Sequence, residues 1–150
     1  MVCYLATGNA RRSRDSSRAA MASALRRPAT TLTLLAGDFN YVCKSDDRFT
    51  NDSLAWSGAT DVDEDGSFTS LVADPFGLYE LEQQDLTHAS SLGRSRIDRV
   101  YVNQHVCEQL DRRIGCIALP WVPHLSAHRP LFFYRRSAKH GDFTSRPLSE

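Results

Sequence analysis

An excess of charge of either sign is what this sequence most plainly lacks, since 18 Lys and Arg side chains face 18 Asp and Glu. A whole-molecule field that gathers polyanions is thereby excluded, and any contact with nucleic acid has to rest on a local patch. Cysteines are few and scattered. Cys3, Cys43, Cys107 and Cys116 form no C-x-x-C pair and have no histidine at zinc-finger spacing, so they read as reduced thiols in or near a core. Long apolar runs are missing too. No stretch approaches the ~20 residues of a membrane span, and the opening M-V-C-Y-L has neither the charged start nor the apolar length of a secretory signal. The default expectation is a soluble intracellular chain with no membrane partner. Residues 11–27, rich in Arg, Ser and Ala with Asp15 as their one acid, match both a transit peptide and a surface helix, and the apparent strand before them favours the helix.

What is present suits one folded domain. The 150 residues are 41% hydrophobic and 24% charged, which is enough apolar surface to bury a core. Val2-Cys3-Tyr4-Leu5 reads as a short strand, residues 13–27 as an amphipathic helix stopped by Pro28, and residues 30–36 as a second apolar strand, together a β-α-β unit. Residues 43–70 are polar and turn-rich, which predicts long loops with at most a short helix. Residues 71–81 read as a helix broken or started at Pro75. Residues 95–102 alternate polar and apolar like a half-buried strand, and residues 103–112 carry Val106, Cys107 and Leu110 on one helical face. Residues 114–119 and 131–134 complete the strands, and the polar tail, 137–150, is expected to be disordered. Alternating strands and helices predict an α/β (α+β) layered sandwich with a mixed or mostly antiparallel sheet, its domain spanning residues 1–136.

Three segments concentrate chemistry at strand ends or loops: Gly37-Asp38-Phe39-Asn40, Ser95-Arg96-Ile97-Asp98-Arg99-Val100-Tyr101-Val102, and Ser126-Ala127-His128-Arg129-Pro130. Phosphodiester cleavage needs a hard cation held by carboxylates, a group that orients or deprotonates water, and donors for the charge that gathers on phosphorus. Asp38, Asn40, Asp98 and His128 are residue types suited to those tasks. A strand followed by Gly, Asp and Asn is also an ordinary turn, because Asp and Asn bond their own backbone there. Three such segments in this order are harder to dismiss.

In order and spacing these motifs resemble the endonuclease/exonuclease/phosphatase superfamily, over residues 2–136, and S-R-I-D-R-V-Y-V leans toward retrotransposon-type or apurinic endonucleases. The resemblance implies a metal-dependent phosphodiesterase that hydrolyses phosphodiester bonds in nucleic acid, its expected partner, using Mg2+ or Mn2+ held by Asp38 and Asp98. It implies that Asp38 handles the attacking water, that Asn40 contacts the scissile phosphate, and that His128 stabilises the transition state. Asp98 and Arg129 join Asn40 as substrate-binding residues on the same grounds.

The chain departs from that pattern at two points. The family's Ser-Asp-His is here Ser126-Ala127-His128, so the carboxylate that supports the metal and polarises the adjacent imidazole is missing. The resemblance also covers only the C-terminal half of the family domain, whose first half supplies a metal-binding Glu and a phosphate-contacting Asn. A half-sandwich is expected to expose an apolar sheet face and to self-associate through it. The alternative function is therefore a catalytically inactive remnant or a binding module. Asp74, Glu80, Glu82 and Asp85 have no motif that makes them substitutes.

Other features read as structural. Asp61-Val62-Asp63-Glu64-Asp65-Gly66 starts like a calcium loop, but Val72 stands where the closing Glu belongs. The arginines at 11, 12, 14, 18, 26 and 27 could track a phosphate backbone, although a solvated helix face is the simpler reading. His88, His105, His124 and His140 lack metal spacing, and Trp121 among prolines reads as packing.

Overall fold

The computed structural model describes residues 2–5, 11–25, 32–111 and 113–135; the expected disordered tail lies outside them. Strand β1 (Val2–Tyr4) leads to helix α1 (Arg11–Ala24), and β2 (Leu34–Asp38) returns parallel to β1, the expected β-α-β unit. Asp38 is thus the last residue of its strand rather than the first beyond it. The stretch expected as long loops holds two strands that were not expected, β3 (Arg48–Thr50) and β4 (Ala55–Trp56), and the short helix that was allowed for, α2 (Val62–Phe68). Short strands with one aromatic each carry little periodicity, which is why the sequence hides them. Among the Asp61–Gly66 acids, Asp63, Glu64 and Asp65 lie in the first turn of α2, where they offset the positive end of the helix dipole.

Helix α2 continues through a π-helical turn, Thr69–Ala73, into α3 (Asp74–Phe76). Pro75 has no N–H to donate, and the wide turn just before it accommodates that loss without ending the helix. Gly77, at φ 59°, closes it, with the Gly77 and Leu78 amides bonded to the Asp74 and Ala73 carbonyls. There follow β5 (Tyr79–Glu80), β6 (His88–Ala89), β7 (Gly93–Ser95), β8 (Asp98–Val102), α4 (Val106–Asp111), β9 (Ile114–Ala118) and β10 (Leu131–Arg135).

Among the described residues three sheets form: β1-β2-β8-β5, the β9-β10 hairpin, and β4-β3-β7-β6. β8 pairs antiparallel with β2, Leu34 opposite Val102 and Asp38 opposite Asp98. Alternation then sends Asp98, Val100 and Val102 to one face and Arg99 and Tyr101 to the other. Leu35 and Tyr101 pack with Leu5, Met21, Phe39, Phe68 and Val72 under the helices, while Val100 and Val102 pack with Leu81, Ile114 and Cys116 of the hairpin side. Each such side chain contributes roughly 1.5–3 kcal/mol by leaving water. β8 is therefore buried on both faces, not half-buried, and its polar member Arg99 is enclosed, 1% exposed.

The hairpin covers the sheet face that was expected to lie open, leaving outward Ile117 and Phe132 as its exposed apolar residues. The arginine face of α1 is not simply solvated either. Arg18 is 1% exposed and is ion-paired with Asp15 and Glu64, and Arg14 reaches Glu64 at 2.7 Å. Of the thiols described, Cys116 is buried, with its pKa pushed up to about 11 by burial, whereas Cys107 is exposed, against expectation. No helix among the described residues is long and apolar enough to cross a membrane.

Candidate active site

The β2–β8 register sets two carboxylates side by side at the ends of the central strands. Asp38 and Asp98 are cross-strand partners, each with its side chain 13% exposed. Burial raises the Asp38 pKa above its ordinary value, and the negative charge of Asp98 adds to that, against the Asn40 amide and His128, which pull it down. Such a pair is a natural position for a cation.

His128 arrives from the loop before β10. Its segment runs antiparallel to residues 87–89, with the Ala89 amide donating to the Ala127 carbonyl (2.9 Å) and the Arg129 amide to the Thr87 carbonyl (2.7 Å). His128 Nδ1 lies 3.0 Å from Asp98 Oδ2 and 3.2 Å from Oδ1, and its Nε2 is 3.9 Å from Asp38 Oδ2. A carboxylate only accepts, so the Nδ1 proton is donated to Asp98 and Nε2 is left toward Asp38. The missing carboxylate at position 127 thus does not leave the imidazole unpolarised, because Asp98 supplies that contact from β8. Ligand atoms of Asp38, Asp98 and His128 all lie within 4.8 Å of one another.

Asn40 sits at φ 54°, a left-handed conformation that Asn tolerates better than most residues. Its amide N–H donates to Asp38 Oδ1 (2.9 Å), and its side-chain Nδ2 donates to the Leu5 carbonyl (2.5 Å). The turn expected of Asp38-Phe39-Asn40 is thus present, and it sets Asn40 beside Asp38. Phe39 is fully buried and anchors this turn in the aromatic core beside Phe68 and Tyr101.

Asp98 is aimed by its neighbours. Arg96 Nε and Arg99 Nη2 each lie 2.7 Å from the buried Asp47, and Arg99 Nη1 lies 2.7 Å from Glu80. Thr87 Oγ1 accepts from the Ile97 (3.3 Å) and Asp98 (3.1 Å) amides. The two arginines of Arg-Ile-Asp-Arg are thus held in the interior, and Asp98 between them faces the site. Glu80 belongs to that network and Glu82 pairs with Lys44, so neither joins the cluster.

Arg129 does not join it either. Its guanidinium donates to the carbonyls of Leu119 (2.7 Å), Ala118 (3.1 Å) and Leu86 (3.4 Å) and pairs with Asp85, which ties the loop to the end of β9. Two residues escaped the sequence reading. The His88 ring lies 4.7 Å from that of His128, and burial, with His128 next in effect, holds its pKa low. Arg48 lines two clefts, of about 490 and 380 Å3, that both reach Asn40; the second also takes in His88. Linear spacing could not find His88, because the antiparallel bridge to His128 joins residues 40 apart in sequence.

A layered α/β domain with paired carboxylates and a polarised imidazole at the ends of its central strands has the layout of a phosphoester hydrolase of the metal-assisted kind. The chain belongs to the endonuclease/exonuclease/phosphatase family, whose family model matches residues 3–114. The His128 segment lies beyond that match and is joined to the site by geometry alone. No curated protein and no solved structure matches the chain.

Proposed function

We propose that this domain hydrolyses phosphodiester bonds in nucleic acid at the Asp38, Asp98 and His128 cluster, with Mg2+ or Mn2+ as its cation. The observation that carries the reading is the convergence of two part-buried carboxylates and one imidazole within 4.8 Å. Two carboxylates, one of them with a raised pKa through burial and its neighbour's charge, fit a divalent ion that neutralises both. Bound there, the ion would polarise a phosphoryl oxygen and lower the pKa of water.

The protein groups divide the remaining work. Asp38 orients and deprotonates the attacking water. His128, held by Asp98 through Nδ1, acts as the imidazolium, whose Nε2–H donates to charge developing on phosphorus. Asn40 and Arg48, on the shared rim of both clefts, bind the phosphate. Arg129 acts by positioning the His128 loop rather than by touching substrate.

A second reading has its own support. Ala127 removes a family carboxylate, and the Asn40 side chain already donates to Leu5, so a binding module that no longer turns over is the rival. Plasmid cleavage by the purified chain with Mg2+ or Mn2+, together with backbone NMR during the titration, separates the two. Cleavage that Asp38→Asn abolishes supports the hydrolase; shifts at Asp38 and Asp98 without cleavage support the binding module; no shift and no cleavage defeats the metal site.

A further inference from the structure

The β4-β3-β7-β6 sheet has two faces of different character. One row of cross-strand partners, Arg48, Ser95 and His88, lines the cleft that reaches Asn40, and Phe49 and Arg94 of the next row border that same cleft. The neighbouring row is Trp56, Phe49, Arg94 and Ala89, and strand alternation turns it to the opposite face. On that face the Phe49 and Trp56 rings meet edge to face at 5.6 Å. The Arg94 guanidinium lies 5.7 Å from the centre of the Trp121 ring, and Arg129 lies at the same distance from that ring. The result is one continuous series: Trp56, Phe49, Arg94, Trp121, Arg129.

Such a series is not needed for packing. Trp56 is 54% exposed, its neighbour Leu54 is 77% exposed, and Arg94 is exposed with no carboxylate partner among the described residues. Neither core cluster includes any member of the series. Arg129 is tied down by carbonyls, so it acts as backing for Trp121, which leaves Arg94 as the free cation between two aromatic surfaces.

We propose that this face is a stacking platform for single-stranded nucleic acid, adjoining the candidate active site but built from other residues. Aromatic rings and guanidinium planes on an open antiparallel sheet are suited to the π-faces of unstacked bases, whatever their sequence, and Arg94 supplies attraction for the backbone. A duplex keeps its bases stacked and offers only phosphates to such a surface. A purely apolar protein partner would leave Arg94 buried without a counter-charge. The platform does not depend on Asp38, so it stands or falls apart from the hydrolase reading.

The chain contains two tryptophans, Trp56 and Trp121, and both belong to the series, so intrinsic fluorescence reports on this face alone. The full chain is titrated in EDTA, which suppresses any hydrolysis, with a twelve-residue oligothymidylate and with a duplex of equal length. Expected is saturable quenching by the single strand and weaker binding of the duplex. Trp56→Ala is expected to weaken binding roughly tenfold, in keeping with the loss of one stacked base. Arg94→Ala should lower the salt slope by about one contact, while Arg94→Gln, which keeps a planar group, should lower the slope but retain the quenching. Circular dichroism checks that each variant is folded. The proposal is overturned if the oligonucleotide binds without quenching, if Trp56→Ala leaves affinity unchanged, or if the duplex binds as tightly. It is equally overturned if a hydrophobic dye binds at Trp56 while the oligonucleotide does not, which would assign the face to a protein.

Discussion

Removing the Asp47 carboxylate should be among the most damaging single changes this domain can suffer. Asp47 has a side chain 2% exposed and accepts four hydrogen bonds, from Arg96 Nε and Arg99 Nη2 at 2.7 Å and from the Cys43 and Lys44 amides at 2.9 Å. Asp47→Ala leaves two guanidiniums, 4% and 0% exposed, to share the single carboxylate of Glu80. Breaking a buried pair by deleting one partner costs about 3–5 kcal/mol, a large part of the 5–15 kcal/mol typical of a whole domain. With a urea slope of about 1–3 kcal/mol/M, the midpoint should fall by about 2 M. The control is Glu82→Gln, which breaks the exposed Lys44–Glu82 pair and should cost about 0–1 kcal/mol. Burial alone would raise the Asp47 pKa, but the Arg96 hydrogen bond, the two amides and the Arg99 charge together hold it below its ordinary 3.8. A lowered folded value means that this stabilisation is complete above 3.8 and is lost as pH falls below it, so the Asp47→Ala penalty should shrink only in that acidic range. A midpoint shift for Asp47→Ala no larger than that of Glu82→Gln would refute the reasoning.

Asp38 has the opposite sign. Its folded pKa is raised, so its favourable contribution is complete below 3.8 and is lost as pH rises through the raised value; Asp38→Asn should therefore stabilise the metal-free protein at pH 7, and a destabilised variant in urea melts would count against a buried charge there. Gly93→Ala would put a Cβ 2.1 Å from the Phe49 carbonyl oxygen, which forces β3 and β7 apart; a loss of at least about 2 kcal/mol is expected by thermal unfolding, and a neutral result would mean that this sheet is loosely paired. Within α2, Gly66 has open space where a Cβ would go, so Gly66→Ala should add about 0.5–1 kcal/mol. Gly77→Ala, at the left-handed helix end, should lose about 1–2 kcal/mol, and the two variants measured together test the continuous α-π-α helix.

The legible parts of this molecule were those in which local chemistry and fold agree. The β-α-β start followed from two apolar runs around a helix, and Asp38, Asn40, Asp98 and His128 stood out because strand-end Asp, Asn and His in that order answer one chemical need. The illegible parts depended on contacts distant in sequence. Residues 48–56 form strands only because β7 and its register partners accept them, since two- and three-residue strands have no period to read. Nothing in the local sequence marks Arg96 and Arg99 for burial, and only Asp47 and Glu80, drawn from separate segments, make it tolerable. His88 gained its place beside His128 in the same way, through a bridge between β6 and the loop before β10.

Those buried arginines also bear on the site. A slip of one residue in the β2–β8 pairing would bring Arg99 to the hairpin face and send Asp98 into the interior, which would abolish the carboxylate pair. Apolar residues alone do not forbid that slip, because Val100, Tyr101 and Val102 are acceptable on either face. Arg99 does forbid it: its two carboxylate partners lie on the helix side, beside Tyr41, whose ring is 5.8 Å from the guanidinium. The charge network is a poor source of net stability by comparison with a well-packed apolar core, but it makes one register far better than its neighbours. Replacing the network in concert, with Asp47→Leu, Glu80→Leu, Arg96→Met and Arg99→Met, so that no buried charge of the network is left unpaired, should then leave a folded domain in which hydrogen exchange along β8 is faster and His128 no longer shows a carboxylate-bound Nδ1 proton. Retention of that proton in the quadruple variant would mean that the hairpin and Thr87, not the arginines, hold Asp98 in place.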